Sequence, residues 1–441
     1  MSRRSMARDA GAPGFSLKVF ESLKVPAYRL YFGALLGQMA AMNMQMIARS
    51  WFMYELTDRA SMLGLSALAG AIPMLGLSLF GGVLADRVTK KYVLIAGQLL
   101  SALVALGIAV SISFGAISWV HLIIAGVLQG TVMALMMPSR QAIIFEIVGQ
   151  DSLMNAIALN AAAMNFLRLL APAFAGFFIA MWSIKGVYYM MAGLYLTSVF
   201  FVLWLPRTEP ILEDNPQEAG GAFTDLWDGL RYIRSQPDIM MLLIVTLFAV
   251  ILSMPYMFLL PVFTRETLLV DISSLGSLTS LPLVGGLISS LAQSSARQGL
   301  LISISGIGAL LGSFIVATMS NKRRGLFLLI SILIVGVSLV IFSFTGSYLV
   351  ALLVFIPLGF GQTGRMALAN TLLQTYTEDT YRGRVMSVYL MEFGVTNIGV
   401  FLVGILADYI GVQWAVGGAA MLLVFFSIYF LLFSARIKKM D

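Results

Sequence analysis

Twelve long apolar stretches separated by short polar breaks organise the chain almost from end to end. Each is long enough to cross a bilayer as a helix, which takes ~20 mostly apolar residues. The predicted spans are Leu30–Met53, Met62–Ala85, Tyr92–Phe114, Trp119–Pro138, Asn155–Trp182 and Val187–Leu205. The second set is Ile239–Pro261, Leu300–Met319, Leu326–Phe344, Leu349–Ala369, Val385–Ala407 and Trp414–Phe433. The longest polar break, "PRTEPILEDNPQEAGGAFTDLWDGLRYIRSQPD", follows the sixth span. Its Pro and Gly mark it as a linker between two six-helix halves. Leu226, Leu230 and Ile233 fall on one helical face, so its second part is expected to lie along the membrane surface.

Composition agrees. Of 441 residues, 59% are hydrophobic and 11% charged, too few charges to cover a soluble domain of that length. The net charge of +7 is not a nucleic-acid signature, because the basic residues are spread among short loops. "DRVTKK", "NKRRG", "YRGR" and the terminal "ARIKK" all fall on the cytoplasmic side if both termini are inside. Arg59, Lys185, Arg265 and Arg297 remain as sparse outer charges. The stretch "DISSLGSLTSLPLVGGLISSLAQSSAR" would reverse the later loops if it were a thirteenth span. It is therefore expected as an insertion on the outer face, a helical hairpin resting on the membrane.

These rules divide the chain into a cytoplasmic tail (1–29), an N-terminal half (30–205) and a linker (206–238). A C-terminal half (239–433, with the insertion at about 271–297) and a short cytoplasmic tail (434–441) follow. The tail before the first span lacks the apolar core of a signal peptide. The two halves echo each other: a basic loop follows the second and eighth spans, and "GQDSLMN" and "TEDTYRGR" follow the fourth and tenth. Duplicated halves are common among secondary transporters.

The chemistry present is sparse. There is no Cys, hence no disulfide, Cys-ligated zinc or thiol catalysis, and the single His121 sits at a span end as an interfacial anchor. The 27 Met lack a neighbouring His cluster, so they are expected to pack spans or soften a cavity rather than carry metal. No metal or cofactor is expected. No phosphate-cradling Gly-rich loop ending in Lys-Ser or Lys-Thr is present, so ATP hydrolysis is not expected.

Polar groups inside spans usually face a cavity or one another. Gln38, Met42, Gln45 and Arg49 share one face of the first span. Asn165 and Arg168 neighbour each other in the fifth, Gln362 and Arg365 lie in the tenth, and Glu392 and Thr396 share a stripe of the eleventh. Gln38, Gln45, Arg49, Asn165, Arg168 and Arg365 are candidates to line a substrate cavity. The alternative is structural pairing between helices, preferred for Arg365 if it lies near the inner end. Glu392, about halfway through its span, is a proton-coupling candidate, because lost hydration favours the neutral acid. Its alternative is a permanent ion pair with Arg168 or Arg365.

Two motifs point to a family. "GGVLADRVTKKYVL" (81–94) resembles the loop motif of the major facilitator superfamily, with Gly82, Asp86, Arg87, Lys90 and Lys91 matching and Thr89 in place of a Gly. The resemblance implies a gating role; the plainer reading is a charged loop that fixes topology. "NFLRLLAPAFAGFF" resembles the fifth-span pattern of antiporters, matching at Pro172 and Gly176, while Ala171 and Ala175 stand for glycines. Ordinary small-residue packing explains it equally well. "GQMAAMNMQMIARSWFMYELT", "MMPSRQAII" and "NTLLQTYTEDTYRGRVMSVY" are similar to the branch with enterobactin exporters and macrolide-efflux pumps.

The resemblance implies an all-α fold of twelve transmembrane helices in two halves. It also implies export; with no ATP-binding loop and apolar walls carrying few polar groups, the expected function is proton-coupled efflux of small amphipathic molecules, drug or siderophore, by alternating access. A lysolipid flippase and an inward permease are the transport alternatives. An intramembrane enzyme would need paired Asp, Ser–His or His-rich sites, and a passive scaffold would not need charges inside spans. Expected partners are a small-molecule substrate, protons and the lipid bilayer, with no nucleic acid; a monomer is expected, in the cell membrane.

Overall fold

The computed structural model describes residues 17–206, 222–268, 291–319, 322–378 and 380–441. Among the described residues there are helices and turns but no strands. A 3-10 segment, Leu17–Lys24, leads into α1 (Pro26–Thr57), α2 (Ala60–Arg87), α3 (Lys90–Ser113), α4 (Trp119–Gln150), α5 (Ser152–Met181) and α6 (Ile184–Leu203). The linker contributes α7 (Ala222–Ser235). The second half comprises α8 (Pro237–Glu266), α9 (Ser294–Thr318), α10 (Arg324–Phe344), α11 (Tyr348–Tyr376), α12 (Arg382–Ile410) and α13 (Val412–Phe433), closed by α14 (Ala435–Lys438). Among the described residues eleven helices are long and apolar enough to cross a membrane. The twelfth span is α1, 32 residues long, whose Gln38, Asn43, Gln45 and Arg49 lower its hydropathy.

Local chemistry sets the breaks. Pro26 opens α1, where its missing N–H costs no bond. Ser118 caps α4 in a reciprocal pair with His121, whose Nδ1 accepts from the Ser118 backbone N–H at 3.1 Å. Gly149 (φ 65°) turns the chain between α4 and α5, and Gly411 (φ 83°) separates α12 from α13. Pro255, with no N–H to give, interrupts α8 after Ser253. The helices outrun the apolar stretches: α4 continues past Pro138 to Gln150 and α11 past Ala369 to Tyr376. Their polar ends keep helical hydrogen bonding beyond the apolar stretch.

An even number of spans places both chain ends on one face, here called the terminal face. Ser22 donates through N and Oγ to Asn155 Oδ1 (2.9 and 2.7 Å), and Tyr28 Oη donates to Asn160 Oδ1 (2.9 Å), tying the chain start to α5. At the other end the Gly325 N–H donates to Met440 O (3.0 Å). The linker helix α7 docks on the start of α12 through Gly229 and Tyr232, and Ile233 of the expected stripe is buried. Tyr232 stacks on Tyr381 at 4.1 Å, and Leu230 is exposed.

The halves meet at the opposite face along two seams, α5 with α9 and α2 with α12. In the first, a Cβ on Gly176 would lie 2.3 Å from Ser295 O, and one on Gly299 would lie 2.6 Å from Pro172 O. The backbones touch because neither position has a side chain, so Pro172 and Gly176 mark a crossing between halves. Ser303 Oγ adds a 2.5 Å bond to Leu169 O across it.

Arg297 corrects an expectation. It is not an exposed outer charge but is 5% exposed inside α9. Its guanidinium donates to Leu291 O, Ala292 O and Thr264 O at 2.6–2.8 Å, capping the last turn of α8. α9 thus starts within the stretch assigned to the insertion; residues 269–290 of that stretch lie outside the described residues.

Gly176→Val should force α5 from α9 at a cost of about 1–3 kcal/mol. It should lower the thermal midpoint in detergent, whereas Gly193→Val, where a Cβ meets open space, should not.

Candidate functional site

The polar residues picked out in the spans fall into two groups, one in each half. In the first half, the α1 stripe turns into its own bundle. Gln38 is buried with Nε2 3.5 Å from Met136 Sδ, and Gln45 Oε1 accepts from Tyr195 Oη at 3.3 Å. Arg49 Nη1 lies 3.1 Å from where a Gly126 Cβ would be, so α4 leaves room for the guanidinium. The Arg49 charge acts on the hydroxyls of Tyr188 and Tyr195. Among the described residues no hydrogen bond or carboxylate satisfies it.

Asn165 and Arg168 are exposed on α5, just to the terminal side of the Pro172–Gly176 seam. Arg168 has no hydrogen-bond or ion-pair partner among the described residues, and its charge reaches the Tyr256 hydroxyl of α8, across the halves.

The second half holds a denser group. Arg365 is 2% exposed and Glu392 5% exposed. Glu392 lies about 15 Å along α12 from the terminal face, and Arg365 about 16 Å along α11 from the same face, at 1.5 Å per residue. Arg365 is therefore not at the inner end of its span. Arg365 Nη2 donates to Gln362 Oε1 (3.2 Å), and Gln362 Nε2 donates to Ser253 Oγ (3.4 Å). Thr246 Oγ1 donates to Glu392 Oε1 at 2.6 Å. Glu392 Oε2 and Arg365 Nε are both buried with no partner. The two charges act on each other and on the Tyr389 hydroxyl, yet no Arg365 nitrogen lies within the 4.0 Å of an ion pair. Neither of the ion pairs considered for Glu392 is present: its Oε1 is bonded to Thr246 and its Oε2 has no partner.

In the loop motif, the backbone of Gly82, Asp86 and Arg87 forms the end of α2, while their side chains lie outside the described residues. The two lysines are anchored within their own half. Lys90 pairs with Glu146 of α4, both largely buried, and Lys91 Nζ donates to Leu203 O (2.8 Å) and Leu205 O (2.5 Å) at the end of α6. They fasten the start of α3 to its neighbours. Among the described residues no group of His, Cys, Asp and Glu could hold a metal ion.

Residues 18–300 match the family model described as "Transmembrane secretion effector", and residues 272–440 match that of the Major Facilitator Superfamily. The chain belongs to the major facilitator superfamily. It is 24% identical over 416 residues to the staphyloferrin A transporter of Staphylococcus aureus, covering 93% of this chain and 96% of that one. It is 24% identical over 388 residues to the enterobactin exporter EntS of Salmonella typhi, covering 86% and 85%. Among solved structures, the nucleoside transporter NupG superposes with a TM-score of 0.67 at 15% identity, over 91% of this chain and 98% of that one. These relatives are transporters rather than enzymes, and this major facilitator protein is a multi-pass membrane transporter of small molecules.

Sequence reasoning missed several partners in this transporter. Arg140 is 7% exposed in α4, its Nη1 3.8 Å from Met39 Sδ, with its carbonyl accepting from Tyr31 Oη at 3.2 Å. A cation inside "MMPSRQAII" was the available signal. Glu146 and Thr246 had none: a carboxylate near a span end and a Thr in an apolar run are too common to single out.

Removing one partner of a buried pair strands the other charge. Lys90→Met should destabilise the folded transporter by about 3 kcal/mol. Adding Glu146→Met in the same chain should restore most of the thermal midpoint. Additive losses would show that the pair is not coupled.

Proposed function

We propose that this transporter is a secondary active exporter that exchanges protons for small amphipathic molecules, siderophores or drug-like compounds, by alternating access. The observation that carries the reading is Glu392: a carboxylate deep in α12 with one oxygen bonded to Thr246 and the other unpartnered. An ion buried permanently without a full set of partners is costly, whereas a group that is neutral for part of a cycle is not. Thr246 suits both states. Its hydroxyl donates to the charged carboxylate; when the acid is neutral it can accept from Glu392 and donate to Leu242 O, 3.0 Å away. Arg365 close by favours release of the proton once water reaches the pair.

The remaining roles follow from the same scheme. Arg168 and Asn165, exposed beside the seam, are proposed to meet the cargo, with Gln38, Gln45, Arg49 and Arg365 shaping the polar interior behind them. Gly82, Asp86, Arg87, Lys90 and Lys91 are proposed to form the terminal-face gate, the lysines supplying its fixed frame. Pro172 and Gly176 are proposed as the packing element of the opposite gate. Efflux of siderophores is supported by relatives named for enterobactin export and staphyloferrin A transport. The basic bias of the terminal-face loops supports a topology with both ends in the cytoplasm and the transporter in a bacterial inner membrane. A monomer holds both halves and therefore the whole path.

The test uses inverted membrane vesicles, a panel of siderophores and amphipathic dyes, and an imposed proton gradient. Glu392→Gln should remove uphill accumulation while keeping cargo binding and downhill exchange near the wild-type rate. Uphill transport at the wild-type level would eliminate Glu392 as the coupling group.

A further inference from the structure

The second seam between the halves, α2 against α12, contains a device that the loop motif does not account for. α12 ends in "GILAD", Gly404 to Asp408, on the opposite face. Asp408 reaches across the halves to the first turn of α2. Its Oδ1 accepts from the Ala60 N–H at 2.7 Å and its Oδ2 from the Ser61 N–H at 3.2 Å. These amides begin α2 and have no acceptor within their own helix. A carboxylate there is an N-cap supplied by a different half of the protein, and it also meets the positive end of the helix dipole. The approach is close enough to allow it because a Cβ on Gly404 would lie 2.8 Å from Ala60 O, and one on Gly64 would lie 2.5 Å from Phe401 Cα.

A near-identical residue string occurs elsewhere in the sequence. "GVLAD", Gly82 to Asp86, ends α2 on the terminal face, four of its five residues identical to the string that ends α12. α2 and α12 run antiparallel, so each begins on the face where the other ends. They cross tightly again near their middle, where Leu75 packs over Gly394. Rocking about that crossing opens one end of the pair as it closes the other.

We propose that Asp408 is the latch of the opposite-face gate, holding it shut by capping α2 and releasing it when that face opens. The latch is a specific cross-half bond whose loss shifts the balance of conformations without touching cargo. It rests on the alternating-access reading above. Neighbouring contacts share the work: Tyr54 Oη donates to Glu266, and Arg265 pairs with Asp58 at 2.9 Å, both between α1 and α8. Asp408 differs from them in acting on a helix end that only the correct approach of α12 can reach.

The chain has no Cys, so two spin labels can be placed cleanly. Ala116→Cys and Gly346→Cys lie in exposed loops of the opposite face, one in each half. Pulsed-EPR distances in lipid nanodiscs then report the open and closed populations of that face. Asp408→Ala should raise the long-to-short ratio about fivefold, the loss of one good cap. Ser61→Pro, which removes one donor where a helix tolerates Pro, should shift the ratio the same way. Asp408→Asn keeps one accepting oxygen but loses the charge and the second bond, and should shift the ratio less than the Ala variant. An unchanged ratio in the Ala and Pro variants, or an equal shift in the Asn variant, overturns the latch. A single fixed distance in wild type and every variant would instead reject alternating access itself.

Discussion

Close contact between the backbones of the two halves, tightest toward the opposite face among the described residues, is the constraint on which the rest of this transporter depends. In lipid, apolar side chains gain little by leaving one hydrocarbon surface for another, so helices hold together by close packing and interhelical hydrogen bonds. Gly176 and Gly299 in one seam, and Gly64 and Gly404 in the other, bring main chains together where a methyl group would not fit. Hydrogen bonds that need this spacing, Ser303 to Leu169 O and Asp408 to the start of α2, then become possible.

Burial of charge has two outcomes in this fold. Some charged groups are tied off: Lys90 with Glu146, Lys91 on the end of α6, and Arg297 on the end of α8. Each bonds a helix end or an opposite charge, which makes the bundle rigid. Others are bonded less completely: the Arg49 guanidinium has no hydrogen-bond partner among the described residues, and Arg365 Nε and Glu392 Oε2 are buried without one, as are single atoms of Glu146 and Arg297. Such groups are expensive in a merely structural role and useful in a moving one.

Much of this was legible in the sequence. Apolar length gave the spans, loop charge gave a consistent two-half arrangement, and the loop and fifth-span motifs pointed to the family. Polar residues inside apolar runs marked Arg49, Arg168, Arg365 and Glu392, because a bilayer makes such positions conspicuous. What a single sequence lacked was partnership across helices. Nothing in the order of residues tells that Glu392 bonds Thr246, that Lys90 finds Glu146, or that Arg297 turns inward to cap α8 rather than outward to water. The linker helix shows the same limit. Its apolar stripe was visible, but the stacking of Tyr232 on Tyr381 was not.

The central claim is that cargo and protons move in opposite directions through one alternating path. It is tested most directly in proteoliposomes loaded with a pH-sensitive dye, with no proton gradient at the start. A gradient of a transported siderophore or amphipathic dye is then imposed. Coupled exchange predicts that cargo leaving the lumen acidifies it, at a rate that follows cargo flux and vanishes with an inactive transporter. Cargo movement at full rate with no change in lumenal pH would contradict the account.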